Sequence, residues 1–293
     1  MTLDEYRDAA VAIAATVFKA DTRGLGACRD LLPDDAYARA AVAIAQRRSG
    51  RALILTGFPV GGVGETDGPP GAMAVGRALN ELGWDVATVA DDTTVTVVRP
   101  LLADLGPVES VDGSRDDTRD ACEALRQTYA PDLVVAVERP GLTADGRLMS
   151  MRGEDITRVS APLDPLMRAP LTVAVGDGGN EIGMGAIAPY LEARGLIPGT
   201  SVTRARHLLL AEVSNWGAYG LVAMLDLVAA IDALPDGAAE ASWIGRIVDA
   251  GAVDGMSREN VTMVDGHPLD VGAQILVELS EVVDAYRRKA PSR

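Results

Sequence analysis

RALILTGFPVGGVGETDGPPGAMAVGRALNELGWDVATVA, residues 51–90, holds one full period of an alternating architecture. RALILTG, 51–57, is a short apolar run that stops at Gly57. Pro69 and Pro70 stand where a helix tolerates proline, because the N–H groups of a first turn have no intrahelical partner. GAMAVGRALNEL carries that helix on to Gly83, a residue suited to the left-handed conformation that closes a helix. WDVATVA, 84–90, is again rich in strand formers and is followed by Asp91. Apolar strand, helix and second apolar strand predict parallel pairing in a sheet covered on both faces.

The alternation continues downstream. DLVVAVE (132–138) ends in Glu138, and LTVAVGD (171–177) ends in Asp177. Helices are expected before it, over about 3–19 and 34–48, and after it, over about 215–234, 238–251 and 268–288. The fold class is therefore α/β: a largely parallel sheet flanked by helices, Rossmann-like, with a mostly helical C-terminal third. No repeat or low-complexity linker interrupts the chain. One domain is expected over 1–293, with N-terminal helices to residue 50, an α/β core over about 51–212 and a helical part over about 213–293.

Composition narrows the partners. The 293 residues, 48% of them hydrophobic, suffice for a substantial core, and with aromatics at 4% that core rests on aliphatic side chains. A net charge of -15 opposes nucleic acid and anionic membrane surfaces. Cys28 and Cys122 offer neither metal-site spacing nor a disulfide framework, which fits a reducing compartment. The N-terminal MTLDEYRDAAVAIAATVFKA places acids before its apolar run and lacks the basic region of a signal peptide. YGLVAMLDLVAAIDAL is interrupted by Asp226 and Asp232, so it reads as a core helix. A cytoplasmic homo-oligomer acting on a small molecule is expected.

Glycine-rich loops after strands usually cradle phosphate, but neither loop here qualifies. Residues 57–71 lack the Gly-Lys-Ser/Thr ending of a P-loop. Counted from Gly62, the dinucleotide fingerprint finds Asp67 at its third glycine, and VGDGGNEIGMG (175–185) finds Glu181 there. No nucleotide cofactor is expected. Helix N-termini do welcome carboxylates, so each acid taken singly reads equally well as a cap.

Taken together the acids say more. Open parallel sheets bind ligands outside the carboxyl ends of their strands. Asp91, Glu138 and Asp177 each follow a strand-like run, and Glu65 and Asp67 lie in the loop after another. Carboxylates crowded on one rim raise one another's pKa and need a positive partner. A divalent metal, Mg²⁺ or Mn²⁺, suits an all-oxygen donor set, since His and Cys are nearly absent. Arg139, Arg147 and Arg152 offer another source of positive charge, or a bidentate grip on a substrate carboxylate. VSNWGAYG (213–220) begins a helix, with Ser214 or Asn215 as cap and small residues that permit close approach. VDGHPLD (264–270) is a turn entering the last helix. His207 and His267 lie in no nucleophile motif, which argues against a Ser-His-Asp hydrolase.

Four motifs, GFPxxxxxETDGPPGA, VAVERPGLTADG, VGDGGNEIGMG and VSNWGAYGL, in this order and spanning nearly the whole chain from about residue 20, resemble the D-glutamate cyclase family. The resemblance implies conversion of D-glutamate to 5-oxo-D-proline with loss of water, on a scaffold similar to metal-binding phosphoesterases. It carries over onto Glu65, Asp67, Gly68, Glu138, Arg139, Asp177, Gly178, Asn180, Glu181, Ser214 and Asn215. The roles expected are metal binding by Glu65, Asp67, Glu138 and Asp177, with Asp91 as a further candidate. Catalysis is assigned to Glu181 as base with Glu138 and Asp177. Arg139 or Arg152 is assigned to the α-carboxylate, and Asn180, Asn215, Ser214, Gly178 and Gly179 to the rest of the substrate. The alternatives are a metal-dependent phosphoesterase on the same rim and a non-catalytic amino-acid- or cation-binding module.

Overall fold

The computed structural model describes residues 3–20, 23–113 and 115–289. A 3₁₀ turn leads into α1 (Arg7–Thr16), α2 (Gly26–Arg29) and α3 (Ala36–Ala45). The alternating part follows: β1 (Gly50–Thr56), α4 (Pro69–Glu81), β2 (Trp84–Asp91), α5 (Val95–Leu102), β3 (Val108–Val111), α6 (Arg115–Tyr129), β4 (Leu133–Val137), β5 (Leu171–Gly176), α7 (Ala188–Arg194) and β6 (His207–Leu210). The chain then turns helical in α8 (Ser214–Ala229), α9 (Gly237–Asp249) and α10 (Leu269–Lys289). None of the described helices is long and apolar enough to cross a membrane.

The six strands pair in the order β3-β2-β1-β4-β5-β6, every pair parallel. Register is set by alternation with both faces buried. In β1, Ala52 and Ile54 face a core shared with α1, α3, α4, α5 and α8 to α10. Leu53 and Leu55 face the opposite core, with Cys28, Cys122, Leu163, Ile182 and Leu191. Each such fully buried Leu or Ile contributes roughly 2 kcal/mol of transfer free energy. The expected α/β architecture is therefore present, and the edge strands β3 and β6 complete it.

Strand order reverses between β1 and β4, and the loops leaving those neighbours in opposite directions open a crevice there. One is the loop quoted above. The other begins at Glu138. Over the crevice sits α8, buried along nearly its whole length, which α4 approaches through Gly71, whose absent Cβ would lie 2.8 Å from that of Ala218. The small residues of this region thus serve helix-to-helix contact.

Candidate functional site

The loop after β1 makes a short ribbon, Pro59–Val60 against Val63–Gly64, which then runs beside the C-terminal part of the chain. Thr66 N–H donates to Val253 O (2.9 Å), Val253 N–H to Gly64 O (3.1 Å), and Thr66 Oγ1 to Met263 O (2.6 Å). Glu65 and Asp67 are thereby held facing inward, both buried.

Asp67 caps α8 rather than the helix that directly follows it. Its Oδ1 accepts from Asn215 N–H (2.8 Å) and its Oδ2 from Ser214 N–H (2.9 Å). Asn215 returns the arrangement, its Oδ1 accepting from Gly68 N–H (3.0 Å) and Gly71 N–H (2.8 Å) at the start of α4. Two helices distant in sequence thus cap each other. The positive end of α8 faces the crevice, and Asp177 Oδ2 shares its first N–H, that of Ser214 (3.1 Å).

Glu138 follows β4 directly at φ 45°, a left-handed conformation uncommon for a side chain of this size. Gly68 lies against it, and a Cβ there would stand 2.8 Å from that of Glu138. Ser214 Oγ donates to Glu138 Oε2 (2.5 Å). Beyond β5, Glu181 folds back on its own turn and accepts N–H bonds from Asp177 (3.1 Å), Gly178 (2.6 Å) and Gly179 (2.7 Å).

Two further residues arrive from segments that carry none of the four motifs. Arg23, between α1 and α2, pairs with Asp177 and with Asp265 at 2.7 Å. Asp265 lies in the turn before α10 at φ 53°. Together these groups line a cavity of about 40 Å³ with Arg152, Asn180, Ser150, Met151 and Met256. Arg152 donates to the carbonyls of Gly255 and Met256, each at 3.0 Å, and Asn180 Nδ2 to Met149 O (2.9 Å). A larger depression of about 540 Å³ opens beside α1 and Tyr37, but it gathers no set of buried acids.

Two acid triads share Asp177. Asp67, Asp177 and Asp265 form one, and Glu138, Asp177 and Glu181 the other, each with carboxylate oxygens within 4.8 Å of one another. Either offers the oxygen-only set that a hard divalent cation takes. The electrostatics are strained throughout. Burial first, then Asp265 and Asp67, hold Glu65 well above the usual carboxylate range. Burial and Asp265 push Asp67 up to about 8, against the N–H bonds of Asn215 and Ser214. Glu138 is raised well above its ordinary value by burial, Glu181, Asp67 and Glu65. Glu181 is raised by burial although its N–H donors oppose the shift. For Arg23, burial works against the charge, but Asp265, Glu138, Asp67 and Glu181 overcome it and raise the guanidinium's pKa.

Asp91 and Arg139 do not reach this cavity. They pair with each other at 2.8 Å, both almost wholly buried. Asp91 Oδ1 accepts from Thr94 N–H (2.9 Å) and Oγ1 (2.8 Å), and Oδ2 from Ser160 Oγ (2.8 Å) and Ala161 N–H (3.2 Å). Arg139 also donates to Gly57 O (2.8 Å) and Ser160 Oγ (3.0 Å), and to Ala161 O. In this arrangement Asp91 has no oxygen to spare for a metal, and Arg139 has no face toward a substrate. Ser214, Asn215, Gly178 and Gly179 stand behind the carboxylates and hold them. Of the expected substrate contacts, Arg152 and Asn180 line the cavity. Sequence reading passed over Arg23 and Asp265, whose one visible cue is the Asp-Gly turn at 265–266.

A family model described as D-glutamate cyclase-like, C-terminal, matches residues 15–280. The mitochondrial D-glutamate cyclase of Homo sapiens is 32% identical over 228 residues, 69% of this chain and 36% of that protein's length.

Proposed function

The chain belongs to the D-glutamate cyclase-like family, and from that premise we propose that it closes D-glutamate into 5-oxo-D-proline with loss of water. The observation that carries the proposal is the convergence of Glu65, Glu138, Asp177, Glu181 and Asp265 on a cavity whose other charged walls are Arg23 and Arg152, with Asp67 behind them, its carboxylate within 4.8 Å of those of Asp177 and Asp265. Such walls suit an amino acid with one ammonium and two carboxylates.

Cyclisation joins the α-nitrogen to the γ-carbon. Two protons leave the nitrogen, and both end on the γ-oxygen that departs as water. The substrate supplies its own proximity, so the protein has to move protons and activate a poor electrophile. Glu138 is the proton carrier in this reading. It lines the cavity, its carboxyl is held well above the usual range by burial and by Glu181, Asp67 and Glu65, and Ser214 Oγ fixes one of its oxygens. Its carboxylate, with its pKa tuned upward, takes a proton from the ammonium and returns it to the departing oxygen, and does so once for each of the two protons. Glu181, with both oxygens engaged by N–H groups of its own turn, orients that turn instead. Arg152 holds the α-carboxylate, and Asn180 fixes the amine.

The acids outnumber the two cavity arginines, and their donors are oxygen alone, which fits Mg²⁺ or Mn²⁺. Asp67, Asp177 and Asp265 would hold it, which leaves Glu138 for proton transfer. When bound, such an ion polarises the γ-carboxylate and stabilises the charge that develops on its oxygens.

The test is incubation of the purified protein with D- and with L-glutamate, with and without chelator, following lactam formation by NMR. Conversion of D-glutamate that stops on chelation is expected. Conversion of neither enantiomer under any metal condition overturns the proposal.

A further inference from the structure

The cavity has a tenant of its own. Among the described residues, Arg23 is the one cation in ion-pair contact with the acid cluster, and it binds Asp177 and Asp265. Asp177 is the acid common to both triads, and Asp265 completes the first. One Asp177 oxygen is held by Ser214 N–H and the other faces Arg23, so neither triad offers its full set of oxygens while the guanidinium stays. Space gives the same answer. With Arg23 seated, the cavity of about 40 Å³ has room for roughly one or two waters, so a five-carbon amino acid enters only as the guanidinium withdraws. Arg23 is carried on a short connection between α1 and α2 rather than on a regular element, and its side chain keeps 13% exposure on the way in.

We propose that Arg23 is an internal counter-ion, seated on Asp177 and Asp265 in the ligand-free protein, which gives up its place when a divalent cation binds. This rests on the metal-assisted reading above and adds a competitor to it. The guanidinium offsets part of the like-charge repulsion when no ion is present. It also sets a threshold, because an entering ion has to displace it. Arg152 differs from it, since its guanidinium is bonded to backbone carbonyls.

The experiment is Mn²⁺ binding to wild type, Arg23→Gln, Arg23→Lys and Arg152→Gln, read from the electron paramagnetic resonance of free Mn²⁺ without substrate. Arg23→Gln is expected to bind roughly tenfold or more tightly than wild type, because two close opposite charges no longer have to be separated. Arg23→Lys should stay within a few-fold of wild type, and Arg152→Gln should gain far less than Arg23→Gln. Equal or weaker binding by Arg23→Gln, an equal gain in Arg152→Gln, or no Mn²⁺ binding by any variant overturns the proposal. A wild-type measurement guards against a misfolded variant. The Arg23 Nη–H resonances, whose nitrogens face Asp177 and Asp265 and which are identified by their loss in Arg23→Lys, should lose their protection as Mg²⁺ saturates the protein, and their persistence refutes displacement. Lactam formation by wild type is scored separately, so cyclase activity and counter-ion exchange can fail independently.

Discussion

Asp91 and Asp177 both follow or end a strand on the same rim of one sheet, and both are 1% exposed, yet they live in opposite electrostatic worlds. Asp91 is matched one to one with Arg139 and surrounded by donors, and although burial works the other way, Arg139, Ser160 and Thr94 bring its pKa below the usual range. Asp177 sits among five other acids with Arg23 as the cation it touches. The first site is a closed knot tying β1, β2, the start of α5 and the segment at 160–161. The second has more acids than cations. A buried acid at a strand end is therefore no sign of function by itself; the count of its partners is.

The largest effect expected is on turnover. Glu138→Gln should lower kcat about 10²- to 10⁴-fold while leaving the melting temperature equal or higher, because one raised carboxyl is gone from the cluster. Lactam formation and thermal unfolding measured on one preparation check this, and full activity would remove Glu138 from the mechanism. Next is the knot. Arg139→Met strands Asp91 without its cation and should cost about 3–5 kcal/mol in denaturant unfolding. Adding Asp91→Leu should recover most of that loss. No recovery would mean that the pair is not the closed unit described.

A smaller change is expected at Asn215. Asn215→Ala removes the acceptor for two N–H groups at the head of α4 and should cost about 1–2 kcal/mol. The effect hardest to assign to a single group is the pH dependence, because the cluster shares its titration. A carboxyl raised on folding binds its proton more tightly in the native state, so its contribution is present at low pH and lost as pH rises through the folded value. For Asp67, raised to about 8, the chelated protein should lose stability between about pH 4 and pH 8. Asp91 has the opposite sign, contributing above the ordinary carboxylate range and losing that contribution as pH falls. Melting curves of wild type and Asp67→Asn across this range separate the two, and an undiminished decline in Asp67→Asn would assign it elsewhere.

Much of this was legible beforehand. Four apolar runs, three of them ending in or followed by an acid, located the central strands, and Pro69, Pro70 and Gly83 bounded α4 as expected. The edge strands were not, since Glu109 and Ser110 halve the apolar content of β3 and β6 has four residues. Partnership was the harder matter. Glu138 and Arg139 are adjacent, but one faces the cavity and the other the knot, a division set by a single left-handed residue that no periodicity announces. Arg23 and Asp265 reach the cavity from near opposite ends of the chain, on connections whose geometry depends on everything between them.

The reciprocal caps have a consequence for biosynthesis. The loop bearing Glu65 and Asp67 leaves the ribosome long before Ser214, Asn215, Val253 and Met263, on which its conformation depends. Nascent chains emerge N-terminus first, so the sheet can begin to assemble while its acidic rim is still without its braces. The reactive geometry therefore matures late, and a polypeptide stalled short of α8 carries five of the six acids without Asp265 and without the braces.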